Sequence, residues 1–168
     1  MIVGELRHGQ LVIIDRLKET VRLSEGLEEI GELTAAARAR ALDCLSRFGE
    51  RLRHIHASNV RVAGTSTFRR AKGSDEFCKE AGLALGHPLE IISGREEARL
   101  IYVGVTHSTP PYEGLRLVLD IGGGSTELIL GQASEPLALE SLNMGCVLMT
   151  ERHFRMGRIS RAAFEEAR

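Results

Sequence analysis

Residues 117–130 read LVLDIGGGSTELIL. Two apolar runs of strand-forming residues, LVLD and ELIL, flank the turn IGGGST. Gly122, Gly123 and Gly124 let backbone N–H groups approach an anion with no Cβ in the way. Ser125 and Thr126 add hydroxyl donors. Asp120 and Glu127 stand at the two ends, where paired carboxylates could hold a hard cation or orient water beside that anion. The plain alternative is a β-hairpin with a glycine turn. Such turns commonly need only two central residues, so GGGST bracketed by acids is more than a turn requires. A phosphate-handling loop between two strands accounts for all of it.

Working outward, the chain alternates strands and helices. Towards the N-terminus, Met1–Leu6 and Gln10–Arg16 read as a hairpin joined at RHG, and Glu19–Leu23 alternates as a third strand would. Glycines at 26 and 31 end that pattern. Thr34 is a candidate N-cap for a long helix with Leu42, Leu45, Phe48, Leu52 and Ile55 near helical spacing. Asn59–Ala63 reads as a short strand followed by the polar loop GTSTFRRAKGS. Ser74-Asp75 suits the start of a helix that Gly86 and Pro88 end. Leu89–Ile92 is another strand, and Ser93 with Glu96 has capping-box spacing for a helix from Gly94 to about Val105. The segment THSTPPYEG (106–114) reads as a linker or hinge. Strands are expected at Leu115–Asp120, Glu127–Gly131 and Leu137–Leu142, and a last helix near Ser160. This alternation predicts an α/β protein with a mixed sheet covered by helices.

The loops rich in chemistry follow strand ends, where open α/β sheets place their ligands. Arg69 and Arg70 close a loop with three hydroxyls. A guanidinium fork suits bidentate phosphate recognition, although an exposed basic pair would look the same. Glu96 and Glu97 fall in a first helical turn, where acids meet the positive end of the helix dipole in any case. Glu97 differs from Glu96 because it shares a face with Leu100 and Ile101. A carboxylate turned inward is costly without a partner or a task.

Composition narrows the function classes. The 168 residues carry a net charge of -1, no Trp and 4% aromatics. That argues against nucleic acid and anionic membrane as partners. No run reaches the roughly 18 apolar residues of a membrane span. The start MIVGELRHG has no basic stretch followed by a long apolar one, so no signal peptide is expected. Cys44, Cys78 and Cys146 lack metal or disulfide spacing and fit a reducing, cytoplasmic setting. The histidines at 8, 54, 56, 87, 107 and 153 show no zinc spacing. GxSxG and GxxxxGK[ST] motifs are absent.

Four blocks carry a resemblance: VAGTSTFRRAKGSDEF (62–77), PLEIISGREEARLIYVGV (88–105), the loop stretch itself and LESLNMGC (139–146). Their order and spacing resemble the exopolyphosphatase / guanosine pentaphosphate phosphohydrolase family, with weaker similarity at DRLKETVRLSEGL (15–27). The resemblance implies ribonuclease-H-like lobes of the actin-like ATPase superfamily. Residues 1–110 would form a first lobe and 115–168 the beginning of a second. It implies hydrolysis of terminal phosphoanhydride bonds of inorganic polyphosphate or guanosine pentaphosphate with Mg2+, in a protein that is a homodimer at full length. By resemblance Glu97 is the catalytic glutamate that activates water, and Arg69 binds phosphate. Gly122, Gly123, Gly124 and Ser125 form a second phosphate loop, and Asp120 and Glu127 ligate metal or position water. A first phosphate loop resembling DLGSNSFH has no counterpart here, so the chain is expected to be an N-terminal fragment, and whether it is active or inactive by itself stays open. Two other readings stay open: a non-catalytic module binding polyphosphate or an alarmone, and an ATPase or kinase of the same superfamily.

Overall fold

A computed structural model describes residues 1–25, 27, 31–154 and 157–168. The chain packs as two units, Met1–Val62 with Lys72–Glu90, and Ala63–Ala71 with Ile91–Arg168. The mixed α/β architecture expected from the sequence is the one found.

In the first unit, β1 (Ile2–Arg7) and β2 (Gln10–Arg16) form an antiparallel hairpin. Its turn uses His8 and Gly9, both at positive φ. The third strand expected at Glu19–Leu23 does not form. Arg22 sits at φ 48°. The carbonyls of Val21 and Arg22 accept from Arg40, and Glu19 pairs with Arg47. Helix arginines thus take the polar groups that a sheet ladder would need. The glycine at 26 lies outside the described residues.

Arg40 and Arg47 belong to α1 (Ala35–Leu52), which starts where Thr34 Oγ1 accepts from Ala37 N at 3.1 Å. Its buried face is Ala37, Ala41, Cys44 and Leu52, while Leu42, Leu45 and Phe48 are half-buried. Small side chains let a second helix lie close. That helix is α3 (Ser74–Leu85), which buries Phe77, Ala81 and Leu85 and ends at left-handed Gly86. Arg38 spans the pair, bonding Glu80 at 2.7 Å and stacking 5.4 Å from the Phe77 ring centre.

The stretch expected to be a strand at 59–63 opens with a 3-10 turn, Ala57–Asn59, and the strand shrinks to β3 (Ala63–Gly64). The polar loop after it holds a one-and-a-half-turn helix, α2 (Ser66–Arg70), begun by Phe68 and Arg69 N–H groups on the Thr65 carbonyl. A two-residue strand, β4 (Glu90–Ile91), leads into α4 (Gly94–Ser108). Ser93 Oγ caps Glu96 N at 3.1 Å as expected. Glu96 does not complete a capping box; it takes a bidentate bond from Arg99 instead. The helix runs three residues past Val105, and over this end the Thr106, Ser108 and Thr109 hydroxyls bond back to the Val103, Gly104 and Val105 carbonyls. Pro110 then stops it.

The second unit is built on an antiparallel meander, β5 (Leu115–Ile121), β6 (Thr126–Gln132) and β7 (Glu135–Leu142), in the order β5-β6-β7. One face is covered by α4. Ala98, Tyr102 and Ile129 meet there with no exposed surface, and Ile101, Val118 and Leu139 surround them. Tyr102 donates to the Ala133 carbonyl in the β6–β7 turn at 3.1 Å. The inward stripe is therefore Ala98, Ile101 and Tyr102, and Leu100 points out. The chain continues into α5 (Cys146–His153), which had no sequence expectation, and α6 (Arg161–Ala167), capped by Ser160 as expected. Among the described residues no helix is long and apolar enough to cross a membrane.

Candidate anion site

Every residue expected to bind phosphate or metal or to act on water falls in the second unit. The short helix α2 carries Arg69 on its last turn, and the cap at Ser93 sets Glu97 in the first turn of α4. Arg69 Nη1 donates to Glu97 Oε2 and to the Ile92 carbonyl, both at 2.9 Å. The two side chains are 22% and 17% exposed. The inward-facing carboxylate thus has the partner it needs, and the pair keeps an opening to solvent.

Pairing in the meander sets the acids in one row. Asp120 on β5 lies opposite Glu127 on β6, and Glu127 opposite Ser141 on β7. Paired residues point to the same face. Asp120 is exposed, whereas Glu127 is 1% exposed and accepts from Ser141 Oγ at 2.8 Å. Row and ion pair meet at Gly94. A Cβ there would stand 2.5 Å from Ser141 Oγ and 3.7 Å from Arg69 Nη2. Only the absence of a side chain lets α4 begin against β7 at this point.

The glycine turn joins β5 to β6 and is closed by Gly122 N on Ser125 O at 2.9 Å. Its carbonyls are committed. Gly122 O accepts from Cys146 N, and Gly123 O from Val147 N and Leu148 N, at 2.9–3.0 Å. The first amides of α5 are therefore spent on the loop, and they hold it rigid. Thr126 Oγ1 donates to the Met144 carbonyl. By contrast, the N–H groups of Gly123, Gly124 and Ser125 donate to no acceptor among the described residues. None of the three glycines has positive φ. They serve close approach, most plainly at Gly124, where a Cβ would stand 2.7 Å from Ser66 Oγ.

Ser141 and α5 were not assigned roles from sequence, and Ser66 figured there only as one of the three loop hydroxyls beside Arg69 and Arg70. Ser141 sits in the ESLNMGC block, and only register reveals its partner. Among the described residues no three His, Cys, Asp or Glu side chains gather where a metal ion could bind. Two carboxylates in register, Asp120 and Glu127, nonetheless fit Mg2+, which keeps most of its water and usually takes one or two carboxylates plus ligand phosphate.

Amide donors left over at one loop, in a unit that also holds arginines and carboxylates, form a candidate anion site in an α/β protein. Within that class, the chain belongs to the Ppx/GppA phosphatase family, whose model matches residues 2–168. A Haemophilus influenzae protein provisionally named an exopolyphosphatase is 46% identical over 168 residues, all of this chain and 52% of that protein. The Vibrio cholerae guanosine-5'-triphosphate,3'-diphosphate pyrophosphatase is 47% identical over 167 residues, 99% of this chain and 33% of that protein. The chain therefore spans between a third and about half the length of these relatives. Among solved structures, the Aquifex aeolicus PPX-GPPA enzyme superposes with a TM-score of 0.80 at 26% identity, over 99% of this chain and 55% of that one. An exopolyphosphatase from Cytophaga hutchinsonii gives 0.83 at 29%, over 90% and 48%.

Proposed function

We propose that this chain is part of a phosphoanhydride hydrolase that removes terminal phosphate from inorganic polyphosphate or guanosine pentaphosphate. The observation that carries the reading is the Arg69–Glu97 pair at 2.9 Å, in one packed unit with a glycine loop whose amides at 123, 124 and 125 have no acceptor among the described residues. The names of the relatives supply the substrate classes.

In this mechanism the Gly122 N–H stays on the Ser125 carbonyl, and the terminal phosphate takes the loop amides of Gly123, Gly124 and Ser125, the Ser125 hydroxyl and a guanidinium proton of Arg69. Transfer of Arg69 to the phosphate frees Glu97 Oε2. Glu97 then orients water in line with the phosphorus and accepts its proton as the new P–O bond forms. The bond to the bridging oxygen breaks, its electron pair leaves with the shortened chain, and orthophosphate is released. Asp120 and Glu127 would hold Mg2+, which supplies charge neutralisation at the phosphate oxygens when bound. Three free cysteines fit a reducing cytoplasm. The full-length protein is taken to be a homodimer.

The test is phosphate release from polyphosphate and from guanosine pentaphosphate by the full-length protein. Glu97→Gln should lower kcat by about 100-fold or more. Turnover close to that of the unsubstituted protein would remove Glu97 from the mechanism. Tight binding of either substrate without any phosphate release would make the protein a sensor.

A further inference from the structure

Glu127 is 1% exposed, yet its carboxylate takes one hydrogen bond among the described residues, from Ser141 Oγ to Oε1 at 2.8 Å. No cationic side chain pairs with it among those residues. Glu97, with its side chain 17% exposed, has the guanidinium of Arg69. A buried carboxylate is costly unless a cation or several hydrogen bonds replace its lost water, and one neutral hydroxyl meets a single lone pair. Among the described residues, the side-chain atoms both enclosed and unpartnered are Ser66 Oγ, His87 Nδ1 and His153 Nδ1. Glu127 Oε2 is unpartnered but not enclosed, so it stays within reach of an incoming ligand.

The Ser141 hydroxyl is itself held in place. Ser141 stands opposite Glu127 in the β6–β7 register. It also meets the start of α4, where a Cβ on Gly94 would lie 2.5 Å from both Ser141 Cβ and Oγ. Strand pairing and helix together leave this side chain little freedom to turn elsewhere. A packed group that grips one oxygen of a candidate ligand does what the outer partners of metal ligands do: it fixes orientation. Asp120, opposite Glu127 on β5, is exposed and needs no such support.

We propose that Ser141 is a positioning residue for cation binding: its hydroxyl engages Oε1 of Glu127 and reserves Oε2 for the divalent ion that Asp120 also ligates. This rests on the reading of Asp120 and Glu127 as Mg2+ ligands. Ser141 touches neither the ion nor phosphate and acts through Glu127.

The experiment is titration of the 168-residue protein with Mn2+, a paramagnetic substitute for Mg2+, with the free ion measured by electron paramagnetic resonance. Ser141→Ala should weaken Mn2+ binding by about tenfold. The same loss should persist in an Asp120→Asn background and vanish in a Glu127→Ala background, where no carboxylate remains to be held. Thermal melts without metal report folding. Ser141→Cys, close in size and a weak donor, replaces Ser141→Ala if that variant fails to fold. Unchanged Mn2+ affinity in a folded Ser141 variant overturns the proposal, even where its melting temperature falls. A loss that persists without Glu127 overturns it as well. If Glu127→Ala leaves Mn2+ affinity unchanged, or the unsubstituted protein binds no Mn2+, the metal reading of Asp120 and Glu127 falls and the positioning role falls with it.

Discussion

Ser141 Oγ donates to Glu127 Oε1 at 2.8 Å from the facing position on the next strand. Glu127 is 1% exposed, so this hydroxyl helps replace the water that the carboxylate loses on folding. Ser141→Ala should therefore cost about 1–3 kcal/mol in urea unfolding. Glu127→Gln should cost less in the Ser141→Ala background than alone, because the two share one interaction. Strictly additive losses would show that the hydroxyl does not support the carboxylate.

Two glycines of α4 should respond with opposite signs. At Gly94 a Cβ would meet Ser141 Cβ and Oγ at 2.5 Å, so Gly94→Ala should lose about 1–3 kcal/mol through overpacking. At Gly104 a Cβ meets nothing within 4 Å, and Gly104→Ala should gain about 0.5–1 kcal/mol from helix propensity. Denaturant midpoints of the two variants decide this, and a shift in the same direction for both refutes it.

Tyr102 ties α4 to the meander through its ring and its hydroxyl. Tyr102→Phe should lose about 1 kcal/mol, the value of one neutral hydrogen bond. Tyr102→Ala should lose about 3–5 kcal/mol because it also opens a cavity. Nearly equal losses would mean that the ring contributes little beyond its hydroxyl.

Arg69→Ala should raise KM for polyphosphate in the full-length protein by about tenfold, as expected when one charge-assisted hydrogen bond is lost. It also leaves Glu97 without its cation. Steady-state kinetics with kcat and KM both unchanged would make Arg69 a bystander.

The thiols should react in a set order. Cys146 is exposed and Cys44 is buried. Burial, and then the negative charge of Glu19, push the Cys44 thiol up, and burial pushes Cys78 up. A raised thiol holds less thiolate at any given pH, so alkylation at pH near 8 should label Cys146 first, with Cys44 and Cys78 following as pH or urea rises. Peptide mass spectrometry gives the order, and early labelling of Cys44 would contradict its burial.

Most caps and stops were legible in the sequence because they are local. Thr34, Ser93 and Ser160 each cap the residue three further on, and Gly86 ends its helix in the left-handed conformation. The expectations that failed depended on partners far away in sequence. Glu19–Leu23 alternates like a strand, but Arg40 and Arg47 take its polar groups. Leu100 was expected to point inward with Ile101, but the sheet selects Ala98, Ile101 and Tyr102.

The glycine loop, its flanking strands and its two acids follow from residues 117–130 alone, since a strand–turn–strand unit is specified by adjacent residues. The chemistry offered by that loop depends on the tertiary structure. Folding turns the Gly122 and Gly123 carbonyls onto α5 and leaves the Gly123, Gly124 and Ser125 amides without acceptors among the described residues. It brings Arg69 to Glu97 across 28 residues and Ser141 to Glu127 across 14. It also packs against Gly124 a buried Ser66 hydroxyl with no partner among the described residues. Residue types and spacing set which donors and acids exist. Which of them are already satisfied depends on packing, because a hydrogen bond is decided by distance in space and not by separation along the chain.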